Sequence, residues 1–214
     1  MKYDAVLFDM DGTLLDTLAD LRDGVNIVLG GHGYPEHTTE EIRTYVGNGA
    51  GVLIHKALPE GTDEETEKAI LAEYKEWYRV NYCSKTCPYP GVVEILEKLE
   101  KAGIKAAVVS NKPDAVTKEL ARKFFPGLPA LGQRDDIPRK PQPQMAWKAL
   151  EELGVDKDRA VYVGDSEVDV ATARNAGMNL VAVDWGFRSV DVLREAGAVE
   201  IAHTAEELLA LLGL

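Results

Sequence analysis

Residues 5–13 read AVLFDMDGT: four apolar residues, then two carboxylates, Asp9 and Asp11, followed by Gly12 and Thr13. A run that is apolar without alternation suits a short strand buried on both faces of a parallel sheet. Three more runs have the same character: 105–109 (KAAVV), 160–163 (AVYV) and 180–183 (LVAV). Helical patterns lie at 91–102, 114–124, 143–153 and 167–176, and a last helix follows Thr204, which is placed to be its N-cap. Strands alternating with helices predict an α/β domain with a doubly wound parallel sheet.

The rhythm breaks between about residues 15 and 88, where no strand pattern is convincing and only helical spacing is present. The longest helical pattern, 62–82, carries Leu71, Tyr74, Trp77, Tyr78 and Tyr82 at intervals of three and four, an aromatic stripe suited to a helical core. Thr38 and Glu41 have capping-box spacing, and Pro88-Tyr-Pro-Gly91 marks the return to the α/β pattern. The expected architecture is a Rossmann-like catalytic core (1–14 and 89–214) with an all-helical cap domain (15–88) inserted after the first strand.

Composition narrows the function. A formal net charge of -12 argues against nucleic acid, whose phosphate backbone calls for clustered Lys and Arg. It leaves room for a small anion bound at a locally positive site. No apolar run approaches the roughly 20 residues of a membrane span, and the opening MKYDAVLFDMDGT is unlike a signal peptide, so the expectation is a cytoplasmic protein that acts on no membrane. The two cysteines, Cys83 and Cys87, are too few for a disulfide scaffold, and no partner His or Cys pair makes them a zinc site.

Ligands of a doubly wound sheet bind beyond the carboxyl ends of its strands, where Asp9 and Asp11 fall. A carboxylate can attack phosphorus, and a second one two residues on can protonate a leaving alkoxide and later deprotonate water. Gly12 permits a sharp turn, and Thr13 offers a hydroxyl to phosphate. After AVYV comes Gly164-Asp-Ser-Glu-Val-Asp169; Asp165 lies at a strand end, and Asp169 lies about one helical turn further, facing the same way. Carboxylate oxygens suit Mg2+, and one ion between Asp9 and Asp165 would offset repulsion between nucleophile and phosphate. Ser110 and Asn111 follow KAAVV, where either can hydrogen-bond a phosphate oxygen; Asn111 equally suits capping of the helix that begins near Pro113. Lys140, followed by Pro141-Gln-Pro143, can neutralise Asp9 and the transferring phosphoryl group.

In order and spacing these segments resemble the four motifs of the haloacid dehalogenase superfamily, over essentially the whole chain. The resemblance implies that Asp9 is the nucleophile and Asp11 the general acid/base. It also implies that Asp9, the Asp11 backbone carbonyl and Asp165 bind Mg2+, that Asp169 supports the metal site, and that Ser110 and Lys140 hold the phosphoryl group. The carbon–halogen hydrolases of that superfamily lack the acid at the position of Asp11, so dehalogenation is not expected. The segment Tyr45-Val-Gly-Asn-Gly-Ala50 is similar to cap segments of phosphoglycolate phosphatases, which makes Gly47, Asn48 and Gly49 candidate substrate contacts. Arg43 and Arg188, ahead of His55, are candidates for a substrate carboxylate, because guanidinium makes bidentate contacts.

The function expected from the sequence is hydrolysis of a small phosphorylated metabolite, foremost 2-phosphoglycolate, by a monomer or homodimer. Alternatives are a sugar-phosphate mutase, a pyrophosphatase or a nucleotidase built on the same residues. A catalytically silent scaffold that binds a partner protein would be marked by loss of Asp9, Asp11 or Asp165, and all three are present.

Overall fold

The apolar run after Asp4 forms strand β1 (Ala5–Phe8), every residue of which is buried. The computed structural model describes residues 2–214. After β1 come β2 (Leu15–Asp16) and four helices, α1 (Leu18–Gly31), α2 (Thr39–Tyr45), α3 (Ala50–Ala57) and α4 (Glu64–Asn81). The chain continues through β3 (Cys87–Pro88), α5 (Val92–Lys101), β4 (Lys105–Pro113), α6 (Asp114–Phe124), β5 (Ala130–Gln133) and α7 (Gln144–Leu153). It ends with β6 (Ala160–Gly164), α8 (Glu167–Ala176), β7 (Asn179–Val183), α9 (Val190–Ala196), β8 (Ile201–Ala202) and α10 (Ala205–Leu212). The chain divides into two compact units, Met1–Asp16 with Pro88–Leu214, and Thr17–Cys87.

The larger unit is an α/β fold around a six-stranded parallel sheet in the order β5-β4-β1-β6-β7-β8. Sequence order runs outward one way from β1 through β4 and β5, and the other way from β6 through β7 and β8. The crevice at that reversal is where a doubly wound sheet takes its ligand. Phe8 pairs with both Val108 and Val163, so the residues that follow these three along their chains emerge at one rim. On one face, Ala5 and Leu7 of β1, Ala107 and Val109 of β4, and Ala160 and Tyr162 of β6 pack under Met145, Ala149 and Leu150 of α7.

The sheet has two strands the sequence did not announce. β8 has only two residues, and β5 (ALGQ) has no β-branched residue and contains a glycine. That glycine is required by packing: a Cβ at Gly132 would lie 2.5 Å from Asp114 Cα at the start of α6. Strand β4 also runs to Pro113, so Ser110 and Asn111 lie within it and not beyond its end. The segment expected to lack strands is bordered by β2 and β3, two residues each, which form a separate two-stranded sheet.

The smaller unit, taken by itself, is helical. Leu21, Val25, Val28 and Leu29 of α1, Leu53 and Ile54 of α3, and Ile70, Tyr74 and Tyr78 of α4 are buried. Tyr74 and Tyr78 stack at 5.5 Å, and Gly24 admits the Trp77 ring so closely that a Cβ there would lie 2.6 Å from it. The Thr38 capping box opens α2, and Asp63 caps α4 by accepting the Thr66 N–H. No helix among the described residues is long and apolar enough to cross a membrane.

Buried Asp20 on α1 holds the end of this unit. Its carboxylate accepts the Lys85 N–H at 3.0 Å, the Thr86 N–H at 2.8 Å and the Thr86 hydroxyl at 2.7 Å. Asp20→Ala removes the acceptor of all three donors, the buried Thr86 N–H among them, and is expected to cost roughly 3 kcal/mol, against about 1 kcal/mol for Thr86→Val. Denaturant unfolding of both variants checks the ranking; equal and small losses would refute it.

Candidate active site

Strands β1, β4 and β6 deliver polar residues to the rim of the sheet. Asp9 follows Phe8 on β1, Ser110 lies on β4 two residues past the Val108 partner of Phe8, and Asp165 follows Gly164 on β6. Asp169 stands on the first turn of α8. Asp9, Asp165 and Asp169 are all buried, and each offers an oxygen within 4.8 Å of the others. Lys140, 2% exposed, lies among them with Nζ 2.9 Å from Asp9 Oδ1 and 2.8 Å from Asp169 Oδ1. Its ammonium also donates to the Tyr162 hydroxyl at 3.2 Å, and that hydroxyl donates to the Val109 carbonyl. An ammonium has three N–H bonds, and these three acceptors take them all.

Each carboxylate is oriented by its own set of donors. The Met10 N–H donates to Asp9 Oδ1 at 2.6 Å. Asp169 Oδ2 accepts the Ser166 hydroxyl at 2.6 Å and the Ser166 N–H at 3.1 Å, the reciprocal half of the capping box that opens α8. With Lys140 on Oδ1, Asp169 has both oxygens engaged, which makes it a support for the lysine and for the helix start. Asp165 accepts the Thr13 hydroxyl at 2.9 Å and the Phe187 N–H at 2.8 Å. Gly12, at φ +87°, makes the turn that brings Thr13 round, and a Cβ there would lie 2.3 Å from Asp165 Oδ2.

Burial raises the Asp9 carboxyl to about 7, with the Lys140 charge opposing this and those of Asp169 and Asp11 adding to it. Asp165 is likewise raised well above the usual carboxylate range, first by burial and then by Asp169 and Asp9. Burial works against the charged form of Lys140, but the charges of Asp169 and Asp9 hold its ammonium well above the ordinary range. Three buried carboxylates facing one ammonium leave two negative charges uncompensated when ionised. Buried charge of that size calls for a counter-ion, and hard carboxylate oxygens suit a hard divalent cation. Asp9 and Asp165, each directly after a strand, are the candidates to hold it, while Asp169 is tied to the Lys140 ammonium.

Asp11 has a different partner. Its two oxygens lie 2.8 and 2.9 Å from Nζ of Lys112, a residue that sequence reasoning passed over. The available signal was a lysine two residues after Ser110, directly beyond an apolar strand run. Tyr162 was also missed, hidden in the strand pattern AVYV, as was the loop after β7, where the Trp185 indole N–H donates to the Thr13 carbonyl. The reading of Asn111 needs correction. Its carboxamide oxygen accepts the Lys140 N–H at 2.8 Å and its amide donates to the Lys140 carbonyl at 3.1 Å, so it anchors the lysine's backbone. It does not cap α6, which has no side-chain cap. Ser110 is buried, with its hydroxyl oxygen accepting the Lys112 N–H at 3.3 Å.

Arg188 is held by Glu167, at 2.7 Å and 3.2 Å. In the helical unit, Arg43 pairs with Glu40 at 3.2 Å on its own helix. Gly47 and Gly49, at φ +119° and +82°, flank Asn48 in the turn between α2 and α3, which explains the glycines by backbone geometry alone.

A raised carboxylate binds a proton in the folded state that it has lost in the unfolded state, between the ordinary value near 3.8 and the folded value of about 7 for Asp9. Its contribution therefore favours folding below that window and opposes folding above it. A divalent cation competes with those protons, so Mg2+ should raise the melting temperature more at about pH 8 than at about pH 5. At about 100 times its dissociation constant it adds roughly 2.7 kcal/mol. Thermal melts with and without Mg2+ check this; a stabilisation that is equal at both pH values, or retained in Asp165→Asn, would contradict it.

Comparison with known proteins agrees with this geometry. Residues 6–183 match the family model of haloacid dehalogenase-like hydrolases. A phosphoglycolate phosphatase of Mesorhizobium japonicum is 34% identical over 211 residues, covering 95% of this chain and 92% of the relative. An N-acetylmuramic acid 6-phosphate phosphatase of Pseudomonas aeruginosa is 32% identical over 190 residues, covering 87% and 84%. The crystal structure of a candidate phosphoglycolate phosphatase from Lactobacillus delbrueckii subsp. bulgaricus superposes with a TM-score of 0.93 at 39% identity, covering 97% of each chain. With its strand-end carboxylates, its buried lysine and this match over most of its length, the chain belongs to the haloacid dehalogenase-like hydrolase family.

Proposed function

We propose that the protein is a Mg2+-dependent phosphatase that hydrolyses a small soluble phosphate monoester, 2-phosphoglycolate, through an aspartyl phosphate on Asp9. The observation that carries this reading is the buried group of Asp9, Asp165 and Asp169 around the Lys140 ammonium. It pairs a nucleophile of fixed orientation with charges suited to a phosphoryl group. The names of the relatives support a phosphate ester as substrate and favour phosphoglycolate.

Asp9 attacks phosphorus, and the bond from phosphorus to the ester oxygen breaks as Asp11 gives that oxygen its proton. Asp11, now a carboxylate, takes a proton from water as the water oxygen attacks phosphorus. The acyl phosphate bond then breaks, freeing Asp9 and inorganic phosphate. Lys140 holds Asp9 in place through Oδ1, and Ser110 hydrogen-bonds the phosphoryl oxygens. A bound Mg2+, held by Asp9 and Asp165, supplies positive charge that offsets repulsion between nucleophile and phosphate.

Phosphate release measured over 2-phosphoglycolate, N-acetylmuramic acid 6-phosphate, hexose phosphates and pyrophosphate, with and without Mg2+, tests the assignment. The highest kcat/KM is expected for 2-phosphoglycolate. A clear preference for a sugar phosphate would keep the phosphatase and overturn the substrate, and isomerisation without phosphate release would overturn both. Asp9→Asn should lower kcat by at least about 10³-fold with the fold retained, and near-normal turnover would remove Asp9 as nucleophile. Asp11→Asn should cost roughly 10²-fold or more on an alkyl phosphate and much less on an activated aryl phosphate. Equal losses on the two would count against its role as an acid.

A further inference from the structure

We propose that Lys112 is the positioning residue for Asp11, holding the acid/base carboxylate in line with the leaving oxygen. This rests on the phosphatase reading of Asp9 and Asp11. Lys112 stands near the end of β4, beyond the last register pair with β1. A lysine at a sheet rim ordinarily extends its ammonium into water. Here the side chain is 3% exposed and ends on Asp11, itself 16% exposed, with Nζ almost equidistant from Oδ1 and Oδ2 at 2.8 and 2.9 Å. One ammonium across both oxygens restrains rotation of the carboxylate about its Cβ–Cγ bond.

The division of charge in the site points the same way. Lys140 serves Asp9 and Asp169, and Asp165 is served by Thr13 and the Phe187 N–H. Asp11, only two residues from the nucleophile, is drawn to a separate lysine on a different strand. The Lys112 N–H also donates to Ser110 Oγ at 3.3 Å. One stretch of β4 therefore sets both the serine assigned to the phosphoryl oxygens and the carboxylate assigned to the leaving oxygen. A displacement of about 1 Å between reacting groups can cost on the order of 10²-fold in rate, so this restraint is of the size that matters to the chemical step.

The test compares Lys112→Met, Lys112→Arg, Asp11→Asn and the double variant Asp11→Asn/Lys112→Met, on 2-phosphoglycolate and on para-nitrophenyl phosphate with Mg2+. Lys112→Met is expected to lower kcat on the alkyl ester by roughly 10- to 100-fold, with a smaller loss on the aryl ester and little change in KM. Lys112→Arg should recover part of the alkyl activity. In the double variant the loss should not exceed that of Asp11→Asn alone, because the lysine acts through the carboxylate. Multiplication of the two single losses would overturn the proposal, as would a raised KM with kcat intact, the signature of a lysine that binds substrate directly. If Lys112→Met fails to fold, Lys112→Arg decides: an altered ratio of alkyl to aryl rates supports the proposal and an unchanged ratio overturns it. Failure of the phosphatase reading is seen separately, as retained turnover in Asp9→Asn or absence of phosphate release by the unaltered protein.

Discussion

The buried ammonium of Lys140 and the two carboxylates it joins, Asp9 and Asp169, are the contact around which the rest of the site is arranged. Removing one charge from water costs several kcal/mol, and gathering like charges in a buried place costs more. The fold meets that cost with aimed donors. All three N–H bonds of the lysine have acceptors, and Asp169 is held on its second oxygen by Ser166. One ammonium still leaves two of the three negative charges of Asp9, Asp165 and Asp169 uncompensated when ionised, and burial raises the carboxyls of Asp9 and Asp165. The same arrangement that orients Asp9 thus leaves an excess of negative charge that suits a divalent cation.

Backbone geometry makes such close approach possible. Gly12, Gly164 and Gly186 stand where a Cβ would overlap Asp165 or Asp169, so bare backbone walls the carboxylates. Asn111 fixes the Lys140 main chain with two reciprocal hydrogen bonds, and the Trp185 indole ties the loop after β7 to the Thr13 carbonyl. None of these residues carries charge. Each limits where a charged neighbour can go, which is the preorganisation that lets electrostatic stabilisation act without rearrangement.

Two lysines divide three carboxylates between them, while Asp165 is held by the Thr13 hydroxyl and the Phe187 N–H, and this gives the site an asymmetry. Lys140 stands at Asp9 and the helix that bears Asp169, while Lys112 stands at Asp11. The nucleophile and the acid/base proposed for Asp9 and Asp11 need different surroundings although they lie two residues apart. Their separation onto different cations provides that difference in space.

The α/β class and the strands β1, β6 and β7 were legible in the sequence because a strand buried on both faces needs an unbroken apolar run. Asp9, Asp11 and Asp165 were legible because the carboxyl end of such a strand is where a doubly wound sheet meets its ligand. Local chemistry likewise announced the caps at Thr38 and Thr204. Strands β5 and β8 were not legible: one holds a glycine demanded by a neighbouring helix, and the other is two residues long. Partner choice was also hidden. That Asn111 turns to Lys140, that Lys112 reaches Asp11 across a separation of 101 residues, and that Tyr162 completes the ammonium's contacts depend on strand order and register. Residue type and spacing along one element determine which group stands at a strand end; only the packing of distant elements decides which opposite charge it faces.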